Sequence, residues 1–386
     1  MNRAAGGRLP WALSLAGLAL LGCGEDTSSA LEGPEPAMRQ VADAARPLDA
    51  ERPERGIPPT VDAEVLDSTE DFAPTARPED AGVAPELDAG DPPQAPAPSD
   101  LPPLPAYSHG ACPVLVGGAT NDTSLVEGFP SGDQVRTFRL MVPSHYDGAH
   151  PLPVVFAWHW LNASSSSFVR EAELEAAIEE QDFIAVLPDG LRNANGDKAY
   201  FLSWPFAEVW GVPGELTFFD DLLACVSTQF NVDRERVYGV GVSAGALWVT
   251  ALAMTDRANH FAAIESLSGG LGDMLGVWRM EYVPQANKYP ALVVWGGPSD
   301  WLALSFHEAS MRLRDALVAD DHFVVECMHD SGHGVPPVEP SEEHSKFKFL
   351  WDFMFAHPHD TPPGTSPYQT AGLPADFPAW CRLSEP

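Results

Sequence analysis

The sequence feature that most constrains the fold is a serine placed between a predicted strand and a predicted helix. The strand at residues 236–242 runs directly into Gly241-Val242-Ser243-Ala244-Gly245, and a helix is predicted from residue 244 to 255. A turn this tight brings its neighbours so close together that glycine is needed on both sides of the serine. The spacing therefore predicts a strained turn that presents Ser243 at the edge of a sheet.

Apolar runs alternate with helical patterns along the chain after residue 107. The short runs indicate strands buried on both sides, and the segments between them have helical spacing. This alternation predicts an α/β fold with a mostly parallel, doubly wound sheet flanked by helices. The predicted strands are residues 134–142, 153–158, 183–187, 236–242, 261–267, 291–295 and 322–327, and the predicted helices are residues 168–180, 218–230, 244–255, 311–318 and 344–355.

Residues 1–22 have the pattern of a bacterial export signal. A positively charged start is followed by an apolar run at residues 11–21, which is too short for a permanent transmembrane helix. The run ends in Leu20-Leu21-Gly22-Cys23, which is similar to the lipobox in which a cysteine thiol is acylated. We therefore expect a lipid anchor at Cys23 and a cell-surface location, on the outer membrane if the cell has two membranes. The alternative is an ordinary secretory signal in which Cys23 is incidental.

The segment at residues 23–106 differs in composition from the rest of the chain. Between residues 24 and 106 it contains 16 prolines, 19 acidic residues and 5 arginines. Such a segment buries too little apolar surface to offset its ordering entropy, so we predict a disordered tether. The folded domain is then predicted to occupy residues 107–386.

The predicted domain is strongly acidic. It contains 15 basic and 36 acidic residues, a formal balance of −21. Nucleic acid and anionic lipid surfaces are therefore poor partners for it. No obligate protein partner is evident from the sequence.

Four cysteines lie in the predicted domain, namely Cys112, Cys225, Cys327 and Cys381. An exported chain meets an oxidising compartment, and an even number of cysteines permits two disulfides. Their wide spacing fits no zinc motif, so we expect no metal site. The sequence leaves all three pairings open. Because Cys112 and Cys381 bracket the domain, a bridge between its two ends is favoured.

A nucleophilic serine needs a base and an acid that orients the base. Asp300 lies five residues beyond the predicted strand that ends at Trp295, and His333 follows the last predicted strand inside a glycine-flanked loop. These are the positions where a parallel sheet brings such groups to the same edge as Ser243. His329 and His344 are the alternatives for the base, and the glycine-flanked loop favours His333.

The reaction of such a serine also needs backbone N–H groups that stabilise a developing oxyanion. Ala244, the residue after the serine, is predicted to supply one donor. The second donor is expected in the loop that follows the strand at residues 153–158. Trp160 and Leu161 are both candidates for it.

From Cys112 to about Phe355 the chain resembles the secreted esterase family that groups polyhydroxybutyrate depolymerases with feruloyl and acetylxylan esterases. The resemblance implies an α/β-hydrolase fold and the triad of Ser243, Asp300 and His333. It rests on the segments RTFRLMVP at residues 136–143, PLP at 151–153, LPDG at 187–190, FDD at 219–221 and NVDRERVY at 231–238, and on the Gly332-His333 pair.

One residue departs from the family pattern. The family has a His-Gly pair at the oxyanion loop, and this chain has His159-Trp160. His159, Trp204 and Trp301 are candidate substrate-binding residues together with Trp160, and Trp210 is a further aromatic candidate. Asp220 and Asp221 are interpreted as acidic residues at the start of a helix, where they favour its N-terminal dipole.

We therefore predict a serine carboxylic-ester hydrolase that forms an acyl-enzyme and needs no cofactor. The expected substrates are extracellular esters, either feruloyl or acetyl groups on polysaccharides or polyhydroxyalkanoate-type esters. Two alternatives remain. One is a catalytically weak or inactive hydrolase-fold lipoprotein that binds a ligand, which the Trp160 substitution favours. The other is a serine peptidase on the same fold.

Overall fold

The structure, a computed structural model, describes residues 101–193, 195–205, 211–274, 278–339, 341 and 343–385. The predicted export signal, Cys23 and most of the predicted tether lie outside the described residues, as does Trp210. Among the described residues, no helix is both long and apolar enough to cross a membrane.

A nine-stranded sheet runs through the centre of the described chain, in the order β1-β2-β4-β3-β5-β6-β9-β10-β11. The six strands from β4 to β10 in this order are parallel, and β1, β2 and β11 are antiparallel additions at the two edges. The predicted mostly parallel sheet is therefore confirmed. The strands are β1 (Leu125–Ser131), β2 (Gln134–Met141), β3 (Leu152–Trp158), β4 (Ile184–Pro188), β5 (Val232–Val242), β6 (Ala263–Leu267), β9 (Ala291–Trp295), β10 (Val324–Met328) and β11 (Cys381–Leu383), with β7 (Asp273–Met274) and β8 (Trp278–Arg279) forming a separate ribbon.

Helices cover both faces of the sheet and create one apolar core on each side. Helices α3, α4 and α5 pack against one face, and α1, α2, α6 and α7 pack against the other. The predicted doubly wound arrangement is thus confirmed. The helices are α1 (Ser165–Glu171), α2 (Leu174–Gln181), α3 (Val212–Gln229), α4 (Ala244–Leu252), α5 (Phe306–Ala319), α6 (Lys348–Phe355) and α7 (Pro367–Ala371).

The helix predicted at residues 168–180 is in fact two helices. The chain breaks after α1, and Glu173 adopts a left-handed conformation with φ of 50°. In one continuous helix, Phe168 and Ile178 would point in different directions from Val169 and Ala177. The break reorients the chain so that residues of both helices reach the same core.

The two disulfides join Cys112 to Cys225 and Cys327 to Cys381. The favoured bridge between Cys112 and Cys381 is therefore wrong. Cys327 and Cys381 are direct register partners in the antiparallel pair of β10 and β11, which places their side chains together. The amino-terminal segment instead runs beside α3, where Cys112 meets Cys225.

The interpretation of Asp220 and Asp221 as residues at a helix start is also wrong. Helix α3 runs from Val212 to Gln229, so both aspartates lie in its middle, more than two turns from its start. The carboxylate of Asp221 is fully buried and accepts hydrogen bonds from the backbone N–H and hydroxyl of Ser108 and from the hydroxyl of Ser131, each at 2.7 Å. Asp221 therefore fastens the amino-terminal segment to the domain.

Candidate active site

Ser243 occupies the predicted strained turn between β5 and α4. Its backbone has φ of 55° and ψ of −115°, a conformation that non-glycine residues rarely adopt. A Cβ atom on Gly241 would lie 2.2 Å from the carbonyl oxygen of Gly245, and one on Gly245 would lie 2.1 Å from that of Trp158. The two glycines are therefore required by close backbone contacts on both sides of the serine.

The hydroxyl of Ser243 lies 2.9 Å from Nε2 of His333, and Nδ1 of His333 lies 2.7 Å from Oδ1 of Asp300. A carboxylate can only accept a hydrogen bond, so Nδ1 of the imidazole carries the proton. In the neutral ring, Nε2 is then free to accept the hydroxyl proton of Ser243. The three residues form one continuous hydrogen-bonded chain.

The carboxylate of Asp300 is fully buried and is held by two further donors. The hydroxyl of Ser268 donates to Oδ2 at 2.8 Å, and the backbone N–H of Gly296 donates to the same oxygen at 2.9 Å. Hydrogen bonds to the charged form stabilise a buried carboxylate and fix its orientation. Ser268 was not identified from the sequence. Its one available signal is its place directly after β6, beside the strand that leads to Ser243.

The imidazole of His333 is held on its face as well as at its edge. The ring of Phe306 stacks on it, with the ring centroids 4.2 Å apart and the planes at 19°. The loop that carries His333 passes close to the loop that carries Asp300, where Gly332 donates from its backbone N–H to the carbonyl of Gly296 at 3.2 Å. A Cβ atom on Gly296 would lie 1.8 Å from the carbonyl oxygen of Gly332, so the two loops meet through glycine.

The two alternative histidines lie in other surroundings. His329 is buried, and its Nδ1 accepts a hydrogen bond from the backbone N–H of Ser331. Burial lowers the pKa of His329 below its ordinary value. His344 is exposed and pairs through Nδ1 with Glu180 at 2.7 Å. Among the described contacts, only His333 meets Ser243.

The loop after β3 is fixed by two side chains that were predicted to bind substrate. His159 accepts at Nε2 from the backbone N–H of Gly190 and donates from Nδ1 to the carbonyl of Trp160. Trp204 donates from Nε1 to the carbonyl of His159 at 2.8 Å. Both side chains are buried, and neither lines the cleft beside Ser243. The structure therefore places both side chains in the interior behind the loop, where they support its backbone, and a contact of either with substrate stays a prediction.

These bonds determine where the N–H groups of the loop point. The carbonyl of His159 is bound on the buried side by Trp204, and the carbonyl of Trp160 is bound by the His159 ring and the N–H of Ala163. In a trans peptide the N–H points opposite to the carbonyl. The N–H groups of Trp160 and Leu161 therefore point away from the buried side, and both remain candidates for the second oxyanion donor. The N–H of Ala244 lies in the first turn of α4, where it has no acceptor within the helix.

The tryptophan at position 160 does not need the conformational freedom of glycine. In this loop the left-handed conformation falls on Asn162, with φ of 63°, and Trp160 is not among the residues with positive φ. The side chain of Trp160 instead forms part of the cleft wall, next to Phe168. The substitution thus narrows the cleft without distorting the loop.

A cleft of about 460 Å³ opens beside Ser243 and His333. It extends along the sheet face covered by α6, and its wall is mostly apolar. Leu302 lines it, whereas Trp301 is 61% exposed and is not part of the wall. Trp301 therefore lies outside the wall of this cleft, and its contact with substrate stays a prediction. Apolar wall residues include Trp160, Val240, Val242, Leu267, Val294 and Trp351.

The sheet order and the serine turn define an α/β-hydrolase fold. The chain is 25% identical over 180 residues to feruloyl esterase D of Neurospora crassa, an alignment that covers 43% of this chain and 54% of the relative. The chain thus spans about half the length of the curated relative it matches. This match confirms the predicted resemblance to the feruloyl esterase group. No family model matches the chain.

Solved structures agree with the fold. The native structure of pOPH superposes with a TM-score of 0.55 and 17% identity, covering 71% of this chain and 97% of that chain. The native structure of sOPH gives a TM-score of 0.52 and 18% identity, covering 71% and 96%. At identities of 17% and 18%, this similarity shows a shared fold alone.

Proposed function

We propose that this protein is a serine carboxylic-ester hydrolase that works through an acyl-enzyme. The observation that carries the proposal is the hydrogen-bonded chain from the Ser243 hydroxyl through His333 to Asp300, with distances of 2.9 and 2.7 Å. The similarity to feruloyl esterase D supports an ester as the substrate.

In the proposed reaction, Oγ of Ser243 attacks the ester carbonyl carbon and its proton passes to Nε2 of His333. Asp300 stabilises the imidazolium that forms, because its carboxylate already accepts from Nδ1. The negative carbonyl oxygen accepts hydrogen bonds from the N–H of Ala244 and from the loop after β3. Collapse of this intermediate transfers the proton from His333 to the leaving alcohol.

Water completes the cycle by the same route in reverse. His333 takes a proton from the water, the hydroxide attacks the acyl-enzyme carbonyl, and Ser243 leaves with the proton returned by His333. The acid product then departs from the cleft. Every proton moves through one histidine, so the reaction needs no cofactor.

The geometry of the loop after β3 favours an active enzyme over a binding protein without activity. An inactive hydrolase fold was suggested by Trp160, which replaces a glycine of the family pattern. The positive φ lies at Asn162, however, and the N–H groups of Trp160 and Leu161 point away from the buried side of the loop. The tryptophan therefore leaves the oxyanion donors in place.

The substrates we propose are extracellular esters, either feruloyl or acetyl groups on polysaccharides or polyhydroxyalkanoate-type esters. The proposed location is the cell surface, with the chain anchored through acylated Cys23 and the tether holding the domain away from the membrane. The sequence pattern at residues 1–23 supports this location. Replacement of Cys23 by serine should release the protein from the membrane fraction, and continued sedimentation with membranes would contradict the anchor.

The decisive test compares hydrolysis of nitrophenyl acetate and butyrate by the purified chain and by Ser243→Ala. We expect Ser243→Ala to abolish turnover while the control Ser341→Ala, at an exposed serine, retains it. A matched anilide of the same acyl group tests the peptidase alternative, and we expect it to be hydrolysed far more slowly. Equal rates for Ser243→Ala and the unmodified chain would overturn the proposal.

A further inference from the structure

The ring of Phe306 covers one face of the His333 imidazole. The two ring centroids lie 4.2 Å apart, and the ring planes are inclined by only 19°. Phe306 is buried and the side chain of His333 is 18% exposed, so the stacked pair is largely shielded from water. Phe306 is not among the residues that line the cleft, so its contact is with the base and not with a bound substrate.

Backbone hydrogen bonds fix Phe306 and Asp300 relative to one another. Phe306 is the first residue of α5, and its N–H donates to the backbone carbonyl of Asp300 at 2.9 Å. The N–H of His307 donates to the same carbonyl at 3.2 Å. The His307 ring in turn accepts at Nδ1 from Nε1 of Trp295, at the end of β9. The partner at the edge of the imidazole and the partner on its face therefore belong to one hydrogen-bonded unit at the start of α5.

Packing alone does not require an aromatic side chain at this position. An aliphatic side chain of similar size would also fill the space beside the imidazole. An aromatic ring differs because its π face carries partial negative charge, which attracts a cation within about 6 Å of the ring centroid. Phe306 presents this face to His333, which becomes a cation each time it takes a proton from the Ser243 hydroxyl.

We propose that Phe306 is a positioning residue that stabilises the positively charged form of His333 during the reaction. This inference rests on the proposed function and adds a residue to it. A neutral imidazole, the form that accepts the proton, gains little from the π face. When the proton of Ser243 moves to Nε2, the ring becomes an imidazolium and its attraction to Phe306 increases. An interaction that is stronger in the transition state than in the ground state accelerates the reaction.

Both chemical steps gain from this attraction. The imidazolium forms once when Ser243 attacks the ester and again when water attacks the acyl-enzyme. Acylation and deacylation should therefore slow together when the aromatic ring is removed, so that kcat falls while KM changes little. Because the pair is shielded from water, we expect Phe306→Leu to lower kcat by roughly five- to thirtyfold.

A fluorinated series separates the charge of the ring from its shape. Phe306 is replaced in turn by 4-fluoro-, 3,5-difluoro- and 3,4,5-trifluorophenylalanine, which weaken the negative π face step by step and change the ring size little. Hydrolysis of nitrophenyl butyrate is measured for each protein. We expect kcat to fall with each added fluorine. A series in which kcat stays constant or rises would overturn the proposal, because packing of the ring on His333 would then explain the contact.

The control series places the same fluorinated residues at Phe129 on β1, the edge strand of the sheet. The Phe129 ring is buried and lies against the rings of Tyr107, Phe138 and Phe218. We expect kcat to stay constant in this series, and a fall equal to that of the Phe306 series would contradict the proposal. If Phe306→Leu does not fold, the fluorinated series decides, because it keeps the aromatic ring in place.

A binding measurement separates failure of this inference from failure of the esterase function. With butylboronic acid, Oγ of Ser243 bonds to boron and its proton passes to Nε2 of His333, which leaves a borate anion beside an imidazolium. Calorimetry measures the dissociation constant of this adduct without ester turnover. Affinity that falls across the Phe306 series supports the inference even if no ester is hydrolysed. Constant kcat and constant boronate affinity contradict it even if Ser243-dependent ester hydrolysis is present.

Discussion

The hydroxyl of Ser268 lies 2.8 Å from Oδ2 of Asp300, and this contact connects the end of β6 to the residue that orients His333. The two residues are 32 positions apart in sequence. Ser268 directly follows β6, the strand that pairs with β5. Its backbone adopts a left-handed conformation with φ of 49°. Ser268 is thus a positioning residue, which acts on the reaction through Asp300.

Replacing Ser268 by alanine should lower kcat by roughly ten- to a hundredfold, the range for a lost hydrogen bond to a charged group. KM should change little, because Ser268 orients Asp300 and the reaction centre more than it binds substrate. Steady-state kinetics with nitrophenyl butyrate measure both parameters. The matched control is Ser266→Ala, whose hydroxyl accepts from Gly270 and does not contact Asp300. Equal losses of kcat in both variants would show that the Ser268 contact has no specific role.

Replacing Trp160 by glycine tests whether the tryptophan disturbs the oxyanion loop. Because Trp160 does not adopt positive φ, glycine should leave kcat for nitrophenyl acetate within about threefold of the unmodified enzyme. Removing the indole should enlarge the cleft and raise kcat/KM for bulkier acyl esters. Steady-state kinetics across acyl sizes check both expectations. A gain of more than a hundredfold with acetate would instead show that the tryptophan impairs the loop.

The local constraints of the site could be read from the sequence. The turn around Ser243 depends on a contiguous strand, serine and helix, and the contacts of Gly241 and Gly245 follow from that geometry. Asp300 and His333 were predicted because parallel strands end at one edge of a sheet. Predicting that Asp300 and His333 lie beside Ser243 therefore required the order of the strands but no knowledge of side-chain packing.

Contacts between residues that lie far apart in the sequence could not be predicted in the same way. Nothing local distinguishes Ser268 from other serines, since its partner lies 32 residues away. His159 and Trp204 were assigned to the substrate because their sequence positions do not reveal which side of the loop they face. Cys381 was paired wrongly because the three-residue strand β11 is too short to have a recognisable period.

The two disulfides should contribute substantially to stability. They close loops of 113 and 54 residues. Restricting the unfolded chain by loops of this length stabilises a protein by about 4–5 kcal/mol each in the chain-entropy description. Replacing Cys112 and Cys225 together by alanine should lower the free energy of unfolding by up to this amount, as measured by urea denaturation. Mass spectrometry of unreduced peptides checks the pairing, and a peptide joining Cys112 to Cys381 would contradict it.

The buried carboxyl of Glu265 should make stability depend on pH in a defined direction. Below the ordinary pKa of 4.5, the folded and unfolded chains both carry the proton, so Glu265 adds no pH dependence. Above it the unfolded chain loses the proton while the folded chain retains it, because burial raises the folded pKa. Unfolding of the natural protein then becomes easier by about 1.4 kcal/mol for each pH unit until the raised pKa is reached.

Glu265→Gln removes this titration and keeps the size of the side chain. The stability of the variant relative to the natural protein should therefore rise with pH above 4.5, the ordinary pKa of the carboxyl group. Urea denaturation at a series of pH values measures the difference, with Ser310→Ala as a buried control that does not titrate. A difference between Glu265→Gln and the natural protein that stays constant with pH would mean that the carboxyl is ionised in the folded chain.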